Sequence, residues 1–149
     1  MATTKLEFSL RLRHDMAGLS LVTQQLALVA KVGWDKGEQN RTIRGSLRDG
    51  DRDFSYRCFA LGAGTSTELY VSLAECIAKL MPFASVLKSF VNSGGIASLA
   101  VGWFSDSAVG GDRIPAKIIA DMASLSLTLD LYLYSQLAQS PSGDSTNEF

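Results

Sequence analysis

Leucine recurs at every second position from Leu125 to Leu133, and Ser126, Thr128, Asp130, Tyr132 and Tyr134 fill the alternate positions. A sustained period of two predicts a strand with one buried and one wet face. Such a strand belongs to an antiparallel or mixed sheet covered on one side only. The chain opens on the same pattern: Leu6, Phe8, Leu10 and Leu12 face one way, and Lys5, Glu7, Ser9, Arg11 and Arg13 the other. Asp15 and Gly18 mark a turn, and Leu19, Val22, Leu26 and Val29 then fit one side of a short helix over 19–28. A further strand is predicted over 54–61, with Tyr56, Cys58 and Ala60 facing the core and Ser55, Arg57 and Phe59 facing outward.

Between these strands, Val32 and Trp34 suit a short strand or a loop. Residues 39–53 hold too little apolar content for a core and read as a long loop or ragged hairpin. Thr65 and Glu68 have the spacing of a capping box, opening a helix to Met81 that buries Leu69, Leu73, Cys76 and Leu80. Pro82 ends or restarts it. A shorter helix carries Phe83, Val86, Leu87 and Phe90 and stops at Gly94 and Gly95. Ile96–Phe104 reads as a strand with Leu99, Val101 and Trp103 on one face, followed by a polar loop over 105–113. Pro115 suits the first turn of a helix that buries Ile118, Ile119 and Met122.

This order predicts an α+β fold: a four- to five-stranded antiparallel or mixed sheet with helices packed on one face, in a ferredoxin-like-related topology. Residues 1–137 form one domain, and 138–149 form a disordered tail with almost nothing to bury.

Composition narrows the function classes. A chain of 149 residues can bury a sizeable core, and a net charge of −1 supplies no long-range field for nucleic acid or an anionic membrane. Cys58 and Cys76 make no disulfide framework and read as small buried hydrophobes. The N-terminus has no apolar run behind a basic start, so no signal peptide is predicted, nor any transmembrane segment. A cytoplasmic setting with reduced thiols is expected.

The chemical motifs fail one by one. Gly62 and Gly64 precede a helix start, but no lysine follows and Glu68 would repel a phosphate. Asp49, Asp51 and Asp53 have calcium-loop spacing, yet Phe54 and Ala60 stand where glycine and glutamate are needed. His14, the single histidine, allows no multi-histidine metal site and no convincing triad, and reads as a surface turn residue. Arg41, Arg44, Arg48 and Arg52 are interleaved with acids, which solvates a loop and builds no phosphate track. No catalytic, cofactor-binding or metal residues are therefore predicted, and the reading leans away from an enzyme.

What remains is a surface. The sheet face away from the helices is predicted to carry Arg11, Arg13, Arg57, Phe59, Phe104, Asp130, Tyr132 and Tyr134. Aromatics and arginines together favour contact surfaces. The expected function is a non-enzymatic module that binds an unidentified protein partner through this face. Two copies stacked through Phe59, Phe104, Tyr132 and Tyr134 would give a weak homodimer. The alternative is a small-molecule sensor, or an enzyme acting on a polar ligand, with Trp34, Trp103, Asp106, Asp112 and Arg113 around its site.

The chain also resembles a bacterial family catalogued as domain of unknown function 4279, over about residues 5–134. The resemblance rests on the opening strand and short helix, on Trp34 followed by Gly37, on the helix with Leu69, Leu73 and Leu80 leading to Pro82, and on the closing Leu125, Leu127, Leu129, Leu131 and Tyr134. The loop over 39–53 is longer than the family usually has. The resemblance implies a cytosolic bacterial α+β domain and, by fold-level analogy, an immunity-type role in toxin systems. It brings no catalytic residues.

Overall fold

The computed structural model describes residues 4–42, 44–64, 68–106 and 111–135. The elements run β1 (Thr4–His14), α1 (Ser20–Leu26), β2 (Ala30–Trp34), β3 (Gln39–Arg41), β4 (Leu47–Asp51), β5 (Ser55–Gly64), α2 (Leu69–Leu80), α3 (Ala84–Asn92), β6 (Ile96–Ser105), α4 (Ala116–Ser124) and β7 (Leu127–Ser135). The main sheet has the order β2-β5-β1-β6-β7. β1 pairs antiparallel with both β5 and β6, β2 pairs antiparallel with β5, and β7 runs parallel to β6. The first four strands in this order have the ferredoxin-like arrangement, and β7 extends it by one parallel edge strand.

The alternating sequence of β1 explains its central place. Leu6, Phe8, Leu10 and Leu12 are all buried, and they meet Phe59, Leu61, Leu99 and Val101 from neighbouring strands. The helices close this face with Leu26 of α1, Leu73, Ile77 and Leu80 of α2, Leu87 of α3, and Ile118 and Met122 of α4. Pro82 interrupts the long helical stretch: a 3₁₀ turn at Met81–Phe83 separates α2 from α3. Together, Leu69–Asn92 is long and apolar enough to cross a membrane by length and composition. In this fold its Leu69, Leu73, Ile77, Leu87 and Phe90 lie in the common core.

Several expectations change. β5 has the opposite register to the predicted one. Phe59 lies opposite Leu10 with no exposed surface, whereas Cys58 lies opposite Arg11 and Tyr56 opposite Arg13. Opposed residues of an antiparallel pair share a face, so Tyr56 and Cys58 belong to the helix-free side and Arg57 and Phe59 to the helix side. Ser55, expected outside, is buried, and its Oγ accepts a 2.8 Å bond from the Lys36 amide. Glu68, predicted inside the first turn of the helix, stands at the N-cap of α2 with extended backbone; Thr65, the other half of the predicted capping box, lies outside the described residues. The Leu69 amide instead donates to Asp112 Oδ2 at 2.6 Å. Ile119 is exposed, and so are Leu131 and Leu133 at the far end of β7. Their alternation is as expected, but no described helix reaches over them.

His14 is only 6% exposed, so it is no surface residue. Its Nδ1 accepts from the amides of Met16 and Ala17 at 3.0 and 2.9 Å. That leaves Nε2 to donate to the Ser93 carbonyl at 3.1 Å. The ring therefore ties the turn after β1 to the end of α3, where Phe90 meets it edge-on. The segment over 39–53 is a ragged hairpin of β3 and β4 with β4 fully exposed, and it forms a separate two-stranded sheet. The predicted tail over 138–149 lies outside the described residues.

Candidate functional site

Helices cover one face of the main sheet, and the other face is the candidate site. Its middle is built from small residues: Ser9, Cys58, Ser98, Ala100 and Gly102. They are buried although no helix lies above them. Long side chains lie over them instead. Arg11 of β1 reaches across β6 to β7, where its Nη1 donates to Tyr132 Oη at 3.2 Å and its guanidinium sits 5.1 Å from the tyrosine ring centre. Arg11 is opposite Ser98 and Tyr132 is opposite Gly102, so the bridge spans Ala100, which has no exposed surface.

Toward β2 the same principle repeats with stacked rings. Trp34 and Tyr56 are opposite each other, with ring centres 4.9 Å apart, and Phe54 is 5.8 Å from Trp34. Arg52, at the base of the β3–β4 hairpin, sits 3.8 Å from the Trp34 ring centre, and Arg13 sits 3.9 Å from that of Phe54. Toward β7, Phe104 and Tyr134 stack in parallel with centres 4.7 Å apart, and Lys5 Nζ lies 5.9 Å from the Phe104 ring. Cations over ring faces are attracted by the ring quadrupole, more strongly where water is excluded. Burial pushes the Tyr56 hydroxyl well above its ordinary range, with the neighbouring Cys58 adding and Arg11 opposing. Burial also raises Tyr134, again against the pull of Arg11. Both phenols stay protonated at neutral pH, so this face carries hydroxyl groups and cations and no phenolate.

Six of the eight residues predicted for this face are here: Arg11, Arg13, Phe104, Asp130, Tyr132 and Tyr134. Phe59 is in the core. Arg57 is a structural clamp at the β2 edge, with a side chain 13% exposed. Its Nη1 donates to the carbonyls of Trp34 and Tyr56 at 2.7 and 2.9 Å, and its Nη2 pairs with Asp35 at 3.1 Å. Asp35 Oδ1 also accepts from the Leu19 amide at the start of α1. Gly33 makes room for this clamp, since a Cβ there would stand 2.4 Å from Arg57 Cδ.

Trp34, Tyr56, Cys58 and Arg52 join the face without having been expected on it. The available signal was the pairing of β5 with β1, which a single strand's composition does not carry.

The alternative ligand site does not assemble. Trp34 is on β2 and Trp103 on β6, with β5 and β1 between them, a separation of about 14 Å at ordinary strand spacing. Trp34 pairs toward the end of the sheet that holds Ile96, whereas Trp103 is opposite Leu6 at the other end. They also face opposite sides. Asp106 follows β6, Asp112 holds the first amide of α2, and Arg113 is exposed. Among the described residues no group of three or more His, Cys, Asp or Glu side chains could hold a metal ion.

No family model, curated protein or solved structure matches this chain.

Proposed function

We propose that this chain is a non-enzymatic, protein-binding domain that works through the helix-free face of its sheet. The supporting observation is the row of cation–aromatic stacks across that face, from Arg52 and Trp34 on one side to Phe104 and Tyr134 on the other. Trp, Tyr and Arg are the residues that dominate binding energy in protein interfaces. Ring and guanidinium planes already held in place lose little freedom when a partner docks. The cations Lys5, Arg11, Arg13 and Arg52 outnumber the acids Glu7, Asp15 and Asp130 along these stacks, so the fitting partner presents an acidic surface. β4 is fully exposed, and Arg52 at the base of the β3–β4 hairpin reaches the face.

A bacterial, cytosolic, immunity-type role, as the resemblance to the domain 4279 family implies, belongs to the same proposal. So does a weak homodimer. Its sheet-to-sheet contact now excludes Phe59 and would rest on Phe104, Tyr132 and Tyr134; sedimentation over a concentration series tests it, and a monomer throughout removes it.

The main test compares immobilised wild type with Tyr132→Ala and with Arg13→Ala in capture from bacterial extract. A protein held by wild type, lost from both variants and released by moderate salt supports the reading. Identical captured sets from all three, with all three folded, refute it.

A further inference from the structure

We propose that the outer edge of β7 pairs with β7 of a second copy of this chain, antiparallel about a twofold axis through Leu131, so that two sheets become one. The two edges of the main sheet are built differently. β2 spans five residues, slips in register between Ala30 and Val32, exposes Lys31, and has its Trp34 carbonyl taken by Arg57. Shortness, a bulge and a lysine are means by which an edge is kept from recruiting another strand. β7 has none of them. It runs nine residues, Leu127–Ser135, in unbroken register with β6, without lysine, arginine, proline or glycine. Among the described residues no strand pairs with it on the side away from β6. Such an edge presents a row of backbone donors and acceptors to a further strand.

The sequence of β7 is self-complementary about Leu131. Antiparallel pairing there sets Leu131 opposite Leu131 of the second copy, and Leu129 opposite its Leu133. Leu131 and Leu133 are 44% and 70% exposed on the helix side, where no described helix lies over them, so the pairing covers apolar surface that the chain itself leaves wet. The other face is matched in charge. Asp130 comes opposite Tyr132 of the second copy, one strand spacing or about 4.8 Å away. Over that ring lies the second copy's Arg11 guanidinium, 5.1 Å from the ring centre. Each copy thus brings an acid to the other's cation, twice by symmetry. An axis through Asp130 would instead set two like charges against each other. The overlap of nine residues supplies about eight to ten backbone hydrogen bonds, as many as a typical protein interface carries. An axis perpendicular to the sheet keeps the helices of both copies on one side and leaves both helix-free faces open. The contact therefore goes beyond the docking reading and does not rest on it. It also differs from sheet-to-sheet stacking, which leaves the edge of β7 unpaired.

The test is sedimentation of the full chain over a concentration series, beside amide hydrogen exchange. Wild type should dimerise in the micromolar range, and the β7 amides that point away from β6 should gain protection as concentration rises. Leu133→Lys, at a largely exposed side chain, weakens the dimer about tenfold or more with its circular dichroism unchanged. Leu131→Lys and Leu131→Asp each oppose like charges across the axis and weaken it similarly, whereas their equimolar mixture associates again. Phe104→Ala, which loosens sheet-to-sheet stacking, leaves the dissociation constant unchanged. A wild type that is monomeric up to about 1 mM overturns the dimer. A dimer that Leu133→Lys leaves intact, or whose outer β7 amides exchange alike at every concentration, overturns this edge as its interface. A mixture of the two Leu131 variants that associates no more tightly than either alone overturns the axis through Leu131.

Discussion

Arg57→Ala separates a contact residue from a structural one. Were Arg57 part of the outer surface, its removal would leave the fold untouched. In the structure the substitution deletes hydrogen bonds of 2.7 and 2.9 Å to the carbonyls of Trp34 and Tyr56 and an ion pair of 3.1 Å to Asp35. The two carbonyls share one nitrogen, so they count as a single strong bond from a charged donor, about 2 kcal/mol. The ion pair is partly screened, since Asp35 keeps 29% of its side chain in water; it contributes about 1 kcal/mol. A loss of about 3 kcal/mol lowers the melting temperature of a domain this size by about 6–12 °C. Asp35→Asn retains an acceptor for the Leu19 amide and removes only the charge, so it costs about 1 kcal/mol. Urea unfolding of both single variants and the double variant gives the coupling directly. A midpoint for Arg57→Ala that places it within ~0.5 kcal/mol of wild type, at unchanged slope, refutes the clamp.

Phe59→Ala should destabilise by about 3–5 kcal/mol, and Phe104→Ala by less than ~1 kcal/mol, in the same unfolding assay; equal losses would restore the rejected register of β5. Leu127→Asp should prevent folding, while Leu133→Asp, at a side chain 70% exposed, should leave a native circular dichroism spectrum. Burial raises the Cys76 thiol from its ordinary 9.0 to about 11. The unfolded chain thus ionises first, and stability is lost as pH rises from 9.0 toward 11. Cys76→Ala should lack that component of the decline in alkaline unfolding curves, and parallel curves for the two proteins would contradict it.

The strands with unbroken alternation were legible in the sequence because one face of each is apolar at nearly every position. β1 and β7 are of this kind, and their facing was read correctly. β5 was not legible, since its residues alternate between two sets that both contain apolar groups, Tyr56 and Cys58 against Phe59 and Leu61. The pairing of Phe59 with Leu10 and the bulge at Leu61 decide between them, and both belong to the partner strand as much as to β5. His14 was misread for a similar reason. Its burial depends on Ser93, far along the chain, accepting from the ring. Asp112 capping the start of α2 is a third case of a polar residue whose partner is remote. Of the candidate surface, the residues on β1, β6 and β7 were recovered; those on β2 and β5 were hidden behind the register.

The central place of β1 also governs how the chain can acquire its structure. β1 is flanked on both sides by strands made much later, since Leu10 meets Phe59 on one side and Leu99 on the other. During synthesis Leu6, Phe8, Leu10 and Leu12 emerge with no sheet to enter; β5 gives β1 its first neighbour, and its second edge stays open until β6 has left the ribosome. A topology whose central pairings are so distant in sequence folds slowly and leaves apolar surface open to aggregation in the interval. β1 is therefore the strand of this sheet that stays open longest, and slower translation before β6 would lengthen its exposure.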